Sequence, residues 1–137
     1  MKSTEKRFIL IDDDPVNNLF SLMVLKKSLK NIEFVTFKHP EKGLEYIETE
    51  FDFKNRVEQT ILFLDINMPT MTGWEFLEKF ETFPKSIKNQ FKIYILSCTV
   101  DHLDIERAKS NRLVAGFLEK PLKKILLTEM FGKATND

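Results

Sequence analysis

The chain has 137 residues with 21 basic and 21 acidic side chains, so its formal net charge is zero. This length favours one domain with a substantial core. The balanced charge gives no support to a nucleic-acid or anionic-membrane partner, since either would favour a basic excess. No apolar run is long enough for a secretory signal or a membrane span, and the single cysteine, Cys98, cannot form an internal disulfide. We therefore expect a cytoplasmic protein.

Strand-like and helix-like segments alternate along the chain. Short apolar runs that stop at polar residues predict five buried strands, at about residues 7–11, 32–37, 60–64, 92–96 and 115–118. Helices are expected at about residues 15–30, 40–50, 72–83, 100–111 and 121–132, with a charged loop at 52–59. Asp14 before Pro15, and Thr72 three residues before Glu75, are typical helix starts.

This alternation predicts an α/β fold, a (βα)5 flavodoxin-like three-layer sandwich. The domain should span about residues 7–131, with short tails at 1–6 and 132–137. Strands joined by helices pair in parallel through right-handed crossovers, and a common strand order for such a chain is 2-1-3-4-5. In that order the carboxyl ends of strands 1, 3, 4 and 5 are contiguous, and strand 2 lies at the edge.

Four of the apolar runs lead directly into reactive side chains. Asp12 and Asp13 follow the first strand, Asp65 the third, Ser97 the fourth, and Lys120 closely follows the fifth. Because chemistry collects at the carboxyl ends of parallel strands, we expect these five side chains to meet at one edge of the sheet.

The residue types indicate a divalent cation and a phosphoryl group. Three neighbouring carboxylates repel one another unless a cation lies among them, and Mg²⁺ prefers such oxygen ligands. The ammonium of Lys120 suits a phosphate, and Ser97 can donate its hydroxyl to the same anion. The two histidines, His39 and His102, lack the spacing of zinc or iron ligands.

With these residues in this order, the chain resembles the receiver domain of two-component response regulators, and in particular the stand-alone chemotaxis and sporulation receivers. The resemblance covers about residues 7–131. The matching segments are Ile11-Asp12-Asp13-Asp14-Pro15, Leu64-Asp65-Ile66-Asn67-Met68-Pro69 with the later Gly73, Leu96-Ser97, and Phe117-Leu118-Glu119-Lys120-Pro121.

The resemblance implies a role for each acidic residue. Asp65 would be the phosphoacceptor, taking a phosphoryl group from the phosphohistidine of a sensor histidine kinase or a histidine phosphotransfer protein. Asp12 and Asp13 would hold Mg²⁺ together with Asp65, and Asn67 would add its backbone carbonyl.

The resemblance also implies roles at the ends of the last two strands. Lys120 would contact the phosphoryl oxygens, and its peptide bond to Pro121 would be cis. Ser97 and Phe117 would form the switch, the hydroxyl turning toward the phosphoryl group and the ring moving inward behind it. Two departures are visible in the sequence, serine in place of the commoner threonine and phenylalanine in place of the frequent tyrosine.

These roles imply a single-domain response regulator that depends on Mg²⁺. Such a protein is a phosphoacceptor that assists its own phosphorylation and dephosphorylation, and is not an enzyme in the usual sense. It would signal through a conformational switch to an unidentified protein partner, or pass the phosphoryl group onward in a phosphorelay.

Two other functions compete with this interpretation. A haloacid-dehalogenase-like phosphatase would use Asp12, Asp14, Ser97 and Lys120, but no acidic pair follows Lys120 at a strand end and the Asp65 segment would be unexplained. An interaction module that keeps only the fold would have no need of clustered carboxylates.

Overall fold

The computed structural model describes residues 6–50 and 59–132. The strands are β1 (Lys6–Ile11), β2 (Ile32–Phe37), β3 (Thr60–Asp65), β4 (Phe91–Ser97) and β5 (Val114–Glu119). The helices are α1 (Pro15–Ser28), α2 (Pro40–Glu50), α3 (Gly73–Glu81), α4 (Lys85–Lys88), α5 (His102–Ser110) and α6 (Lys124–Leu127), and a π-helical turn (Thr128–Gly132) continues α6. None of the helices in these two ranges has the length and apolar character needed to cross a lipid bilayer.

The five strands form one parallel sheet in the order β2-β1-β3-β4-β5, which confirms the predicted topology. The register brings the strand ends level. Ile11 pairs with Leu64, so Asp12, just past the end of β1, and Asp65, the last residue of β3, lie side by side. At the ends of β4 and β5, Ser97 lies opposite Glu119, and Lys120 is the next residue after Glu119.

The sheet separates two hydrophobic cores, one on each face. Leu62 and Leu64 of β3 pack beneath α2, α3 and α5, whereas Ile61 and Phe63 pack against α1 and α6. All six residues of β3 are buried, as expected of a central parallel strand covered on both faces. Full burial of such a side chain contributes about 1.5–3 kcal/mol, so this strand anchors the layer that carries Asp65.

Two helix starts follow from local side-chain chemistry, as the sequence predicts. The Asp14 carboxylate caps α1 by accepting backbone N–H groups of Val16 and Asn17. A complete capping box begins α3, in which Thr72 and Glu75 each accept the other's backbone N–H. Such a cap contributes about 1 kcal/mol and fixes the direction in which the helix leaves the preceding loop.

The structure differs from the prediction at two helices. The short α4, just after Pro84, was not predicted, because four residues are too few to show a helical period. The last helix begins at Lys124, later than predicted, because Leu122 is first buried in the core and Lys123 remains extended. The predicted tails and the predicted loop at 52–59 lie almost entirely outside the described residues.

Candidate functional site

Three carboxylates converge at the carboxyl edge of the sheet. Asp12 and Asp13 follow β1 and Asp65 ends β3, and one oxygen from each lies within 4.8 Å of the others. Asp12 and Asp65 are buried, while Asp13 is half-buried. Close, desolvated carboxylates repel one another, so this arrangement favours a cation in their midst.

One ammonium group offsets part of this charge. Lys120 Nζ lies 2.8 Å from Asp12 Oδ2 and 3.3 Å from Asp65 Oδ1. Its backbone N–H donates to the carbonyl of Ser97 at 2.8 Å, which holds the end of β5 against the end of β4. The following Lys120–Pro121 peptide bond is cis. One positive charge among three carboxylates leaves the site strongly negative.

Burial and charge shift the pKa of two of these groups. Burial, and then the neighbouring Asp12 carboxylate, raise the pKa of Asp65 to about 6, against the opposing effects of Lys120 and of the Asn67 backbone N–H. For Lys120, burial alone lowers the pKa, but the hydrogen bond and charge of Asp12, followed by Asp65, outweigh burial and raise it overall. Lys120 therefore stays protonated at neutral pH.

The start of α1 holds Asp12 in place through contacts that the sequence analysis missed. The side-chain amide of Asn17 donates to Asp12 Oδ2 at 2.7 Å, and that of Asn18 donates to the Asp12 backbone carbonyl at 2.9 Å. The backbone N–H of Asp14 donates to Asp12 Oδ1 at 3.0 Å. The sequence feature that could have indicated these contacts is the pair Asn17-Asn18 in the first turn of a helix capped by an aspartate.

The predicted switch residues lie beside this cluster. Ser97 is fully buried, and its Oγ accepts the backbone N–H of Thr99 at 3.2 Å. Within the described part of the chain, Ser97 Oγ makes no hydrogen bond to Asp65 or Lys120. Phe117 is half-buried in β5, where it pairs with Ile95 and packs against the core.

The loop after Asp65 is closed by a glycine at the start of α3. Gly73 donates its backbone N–H to the carbonyl of Ile66 at 2.8 Å. A Cβ at position 73 would lie 2.6 Å from the backbone oxygen of Asp65, so the two backbone segments touch. The next residue, Trp74, is covered by the guanidinium of Arg107 from α5, 4.6 Å from its ring centroid.

The donor set fits a hard divalent cation. Asp12, Asp13 and Asp65 present carboxylate oxygens, and Mg²⁺ prefers oxygen ligands and retains several waters of its own. No imidazole or thiolate belongs to this three-residue cluster within the described ranges, so the donor set is more typical of a hard cation than of zinc.

The sequence model of the response regulator receiver domain matches residues 8–131. The chain belongs to this family. It is 32% identical over 122 residues to the transcriptional regulatory protein FlgR of Helicobacter pylori (strain ATCC 700392 / 26695). The match covers 88% of this chain and 28% of FlgR, so the chain spans little more than a quarter of that relative.

Solved structures show the same fold. A two component response regulator from Cytophaga hutchinsonii gives a TM-score of 0.82 at 25% identity, and the match covers 96% of this chain and 98% of the regulator. A response regulator receiver protein from Dyadobacter fermentans DSM 18053 gives a TM-score of 0.79 at 26% identity, and the match covers 92% of this chain and 98% of that protein. Chemotaxis protein CheY4 of Vibrio cholerae shares the fold at 20% identity, with a TM-score of 0.72 and coverage of 95% and 98%.

The family membership and the contacts of Asp14 give no support to the phosphatase interpretation. That interpretation needs the Asp14 carboxylate for catalysis, whereas this carboxylate caps α1. The receiver interpretation leaves Asp14 to its capping role and accounts for Asp65. This chain is therefore a receiver domain of two-component signalling.

Proposed function

We propose that Asp65 accepts a phosphoryl group from a histidine kinase or a histidine phosphotransfer protein in a reaction that depends on Mg²⁺. The observation that carries the proposal is the convergence of Asp12, Asp13 and Asp65, with Lys120 bridging two of them. The three carboxylates and the backbone carbonyl of Asn67 would hold the ion. Mg²⁺ would neutralise the charge that gathers between the incoming phosphoryl group and the acceptor.

Asp65 is the nucleophile in this proposal. A new bond forms between a carboxylate oxygen of Asp65 and phosphorus, while the bond from phosphorus to the donor's histidine nitrogen breaks and its electron pair stays on that nitrogen. The carboxylate must be ionised to attack, and with a pKa of about 6 it is mostly ionised at pH 7. The positive charge of Lys120 favours the ionised form of Asp65.

Lys120 exchanges partners in the course of the reaction. Before transfer its ammonium lies closer to Asp12 than to Asp65. Once the phosphoryl group is on Asp65, its anionic oxygens offer Lys120 stronger charge-assisted hydrogen bonds. The ammonium then turns from Asp12 to the phosphoryl group and stabilises the product.

The conformational response begins at Ser97. Its hydroxyl, now facing the Thr99 backbone, turns to donate to a phosphoryl oxygen. The space that this movement opens lets the Phe117 ring move inward, which changes the surface formed by α5, β5 and α6. Exposed apolar side chains on two of these elements, Leu103 on α5 and Ile125 on α6, support the use of this surface as the contact with the downstream protein.

The phosphoryl donor would dock on α1. The side chains of Val16, Leu19, Phe20 and Met23 are between 44% and 74% exposed, and their spacing places them on one face of the helix. An apolar stripe beside the cluster suits a partner helix that carries the phosphohistidine.

We also propose a cytoplasmic location, which the unpaired Cys98 supports.

Acetyl phosphate, a small phosphoryl donor, tests the proposal without a partner protein. After incubation with acetyl phosphate and Mg²⁺, the intact mass should rise by one phosphoryl group per chain. The gain should disappear in Asp65→Asn and in buffer with a chelator, and should persist in Asp104→Asn, a control on α5. Labelling that survives in Asp65→Asn would refute the assignment, and repeated turnover of the donor without any labelled chain would favour a phosphatase.

A further inference from the structure

The Asp12 carboxylate has unequal oxygens. Oδ2 accepts the side-chain amide of Asn17 at 2.7 Å and the ammonium of Lys120 at 2.8 Å, while Oδ1 accepts the backbone N–H of Asp14 at 3.0 Å. A carboxylate oxygen offers about two acceptor sites. Oδ2 is therefore filled, and Oδ1 keeps one site for a cation or for a water bound to it.

The helix start fixes the position of Asn17. The Asp14 carboxylate accepts the backbone N–H groups of Val16 at 2.9 Å and Asn17 at 3.4 Å. Pro15 occupies the first helical position, where its restricted φ suits the helix. With its backbone held by this cap, Asn17 is half-buried and its amide reaches back to Asp12.

We infer that Asn17 is a positioning residue for this site, which orients the Asp12 carboxylate in the resting protein and keeps it oriented when Lys120 leaves it for the phosphoryl group. The inference rests on the proposed function, which requires Lys120 to change partners. Without Asn17, the departure of Lys120 would leave Oδ2 without either of these two donors, and the backbone N–H of Asp14 on Oδ1 would then hold the carboxylate less firmly. With Asn17 in place, Oδ2 would keep one donor throughout the transfer, and Oδ1 would remain available to the cation.

The Mg²⁺ dissociation constant of the folded protein, measured by titration calorimetry, tests this role. Asn17→Leu keeps the approximate size and favours the helix, but has no N–H donor. We expect Mg²⁺ to bind about tenfold more weakly, as for other residues that orient a metal ligand. A loss of stability alone would lower the melting temperature and leave the dissociation constant unchanged.

Two further variants provide a rescue and a control. Asn17→Gln keeps an amide on a longer side chain and should recover part of the lost affinity. Asn89→Ala removes the same amide group from the exposed end of α4 and should leave Mg²⁺ binding unchanged. If Asn17→Leu does not fold, Asn17→Ser carries the same expectation, because its hydroxyl is too short to reach Asp12.

The outcomes separate this inference from the proposed function. If the unaltered chain binds Mg²⁺ and is labelled at Asp65, while Asn17→Leu binds the ion as tightly, the inference is wrong and the proposed function stands. If the unaltered chain binds no Mg²⁺, the proposed function fails, and the inference fails with it. Weaker binding in Asn17→Leu with partial recovery in Asn17→Gln supports both.

Discussion

Asp65 meets two opposing demands. It is 4% exposed and faces a second carboxylate, both of which favour the protonated form, yet as the proposed nucleophile it must be ionised. Lys120 and the backbone N–H of Asn67 favour the ionised form, and the balance leaves a pKa of about 6. Below this pH the carboxyl is mostly protonated and is a poor nucleophile.

The raised pKa of Asp65 makes stability depend on pH. The folded protein holds this proton more tightly than the unfolded chain, in which the ordinary pKa is 3.8. The contribution is therefore complete below about pH 4 and is lost as the pH rises through 6. The free energy of unfolding of Asp65→Asn, minus that of the parent, should increase by about 2 kcal/mol between pH 4 and 7. Urea denaturation in chelator measures this difference, and a constant value would contradict it.

At this scale the sequence predicted which side chains would gather, because each one follows a buried strand. It did not predict their individual contacts. That Lys120 lies closer to Asp12 than to Asp65, and that Asn17 bonds to the same carboxylate, depend on side-chain conformations and distances of a few tenths of an ångström. A pattern of residue types contains no such information.

Among the elements, α3 begins in direct contact with the strand that carries Asp65. Gly73 allows this contact because it has no Cβ, and its hydrogen bond to the carbonyl of Ile66 closes the intervening loop. The nearest neighbours of an added Cβ are backbone atoms, which cannot turn aside as a flexible side chain can. The capping box of Thr72 and Glu75 then fixes where the helix starts.

Gly73→Ala should therefore separate α3 from the Asp65 segment. Such an overpacked contact lowers the free energy of unfolding by about 1–3 kcal/mol, which denaturant titration can measure. Gly43→Ala on α2 is the matched control, since its Cβ would meet the tip of the Ile11 side chain, which can move. It also gains helix propensity. A Gly73→Ala protein as stable as the Gly43→Ala protein would contradict this account of the loop.

The positions of the helices and strands were predictable from the sequence, but which face of a helix is buried was harder to predict. The apolar runs and caps located all five strands and the long helices. The helix α1, however, leaves Leu19 and Met23 about half exposed and buries the polar Asn18 and Ser21. Apolar residues occur all round this helix, so hydrophobicity alone does not indicate which face is buried. The exposed apolar side chains lie beside the site, where the proposed docking surface competes with core packing.

For the molecule as a whole, the fold gathers charges that are far apart in the chain. The strand order and register bring residues 12, 13, 65 and 120 to one edge of the sheet. Two cores, one on each face of the sheet, provide the stability that offsets the repulsion at this edge. The site is a region of stored electrostatic repulsion that a cation would relieve.

This repulsion predicts opposite effects of mutation and metal. In metal-free buffer, Asp13→Asn should raise the melting temperature, because one of three crowded charges is removed. Mg²⁺ should raise the melting temperature of the parent. At a concentration one hundred times its dissociation constant, the ion would add about 2.7 kcal/mol to the free energy of unfolding. The same addition should have little effect on the melting temperature of the variant. Thermal scans with and without Mg²⁺ compare the two. A metal-free variant less stable than the parent would count against crowding.

The pairing of Arg107 with Trp74 has a practical consequence. Trp74 is the sole tryptophan of the chain, and it lies just after the loop that follows Asp65, with a cation from α5 above its ring. Indole emission responds to a nearby charge, so any rotation of α5 relative to α3 would alter the fluorescence. The protein thus contains an intrinsic optical reporter, through which movement between these two helices can be followed in real time without attached dyes.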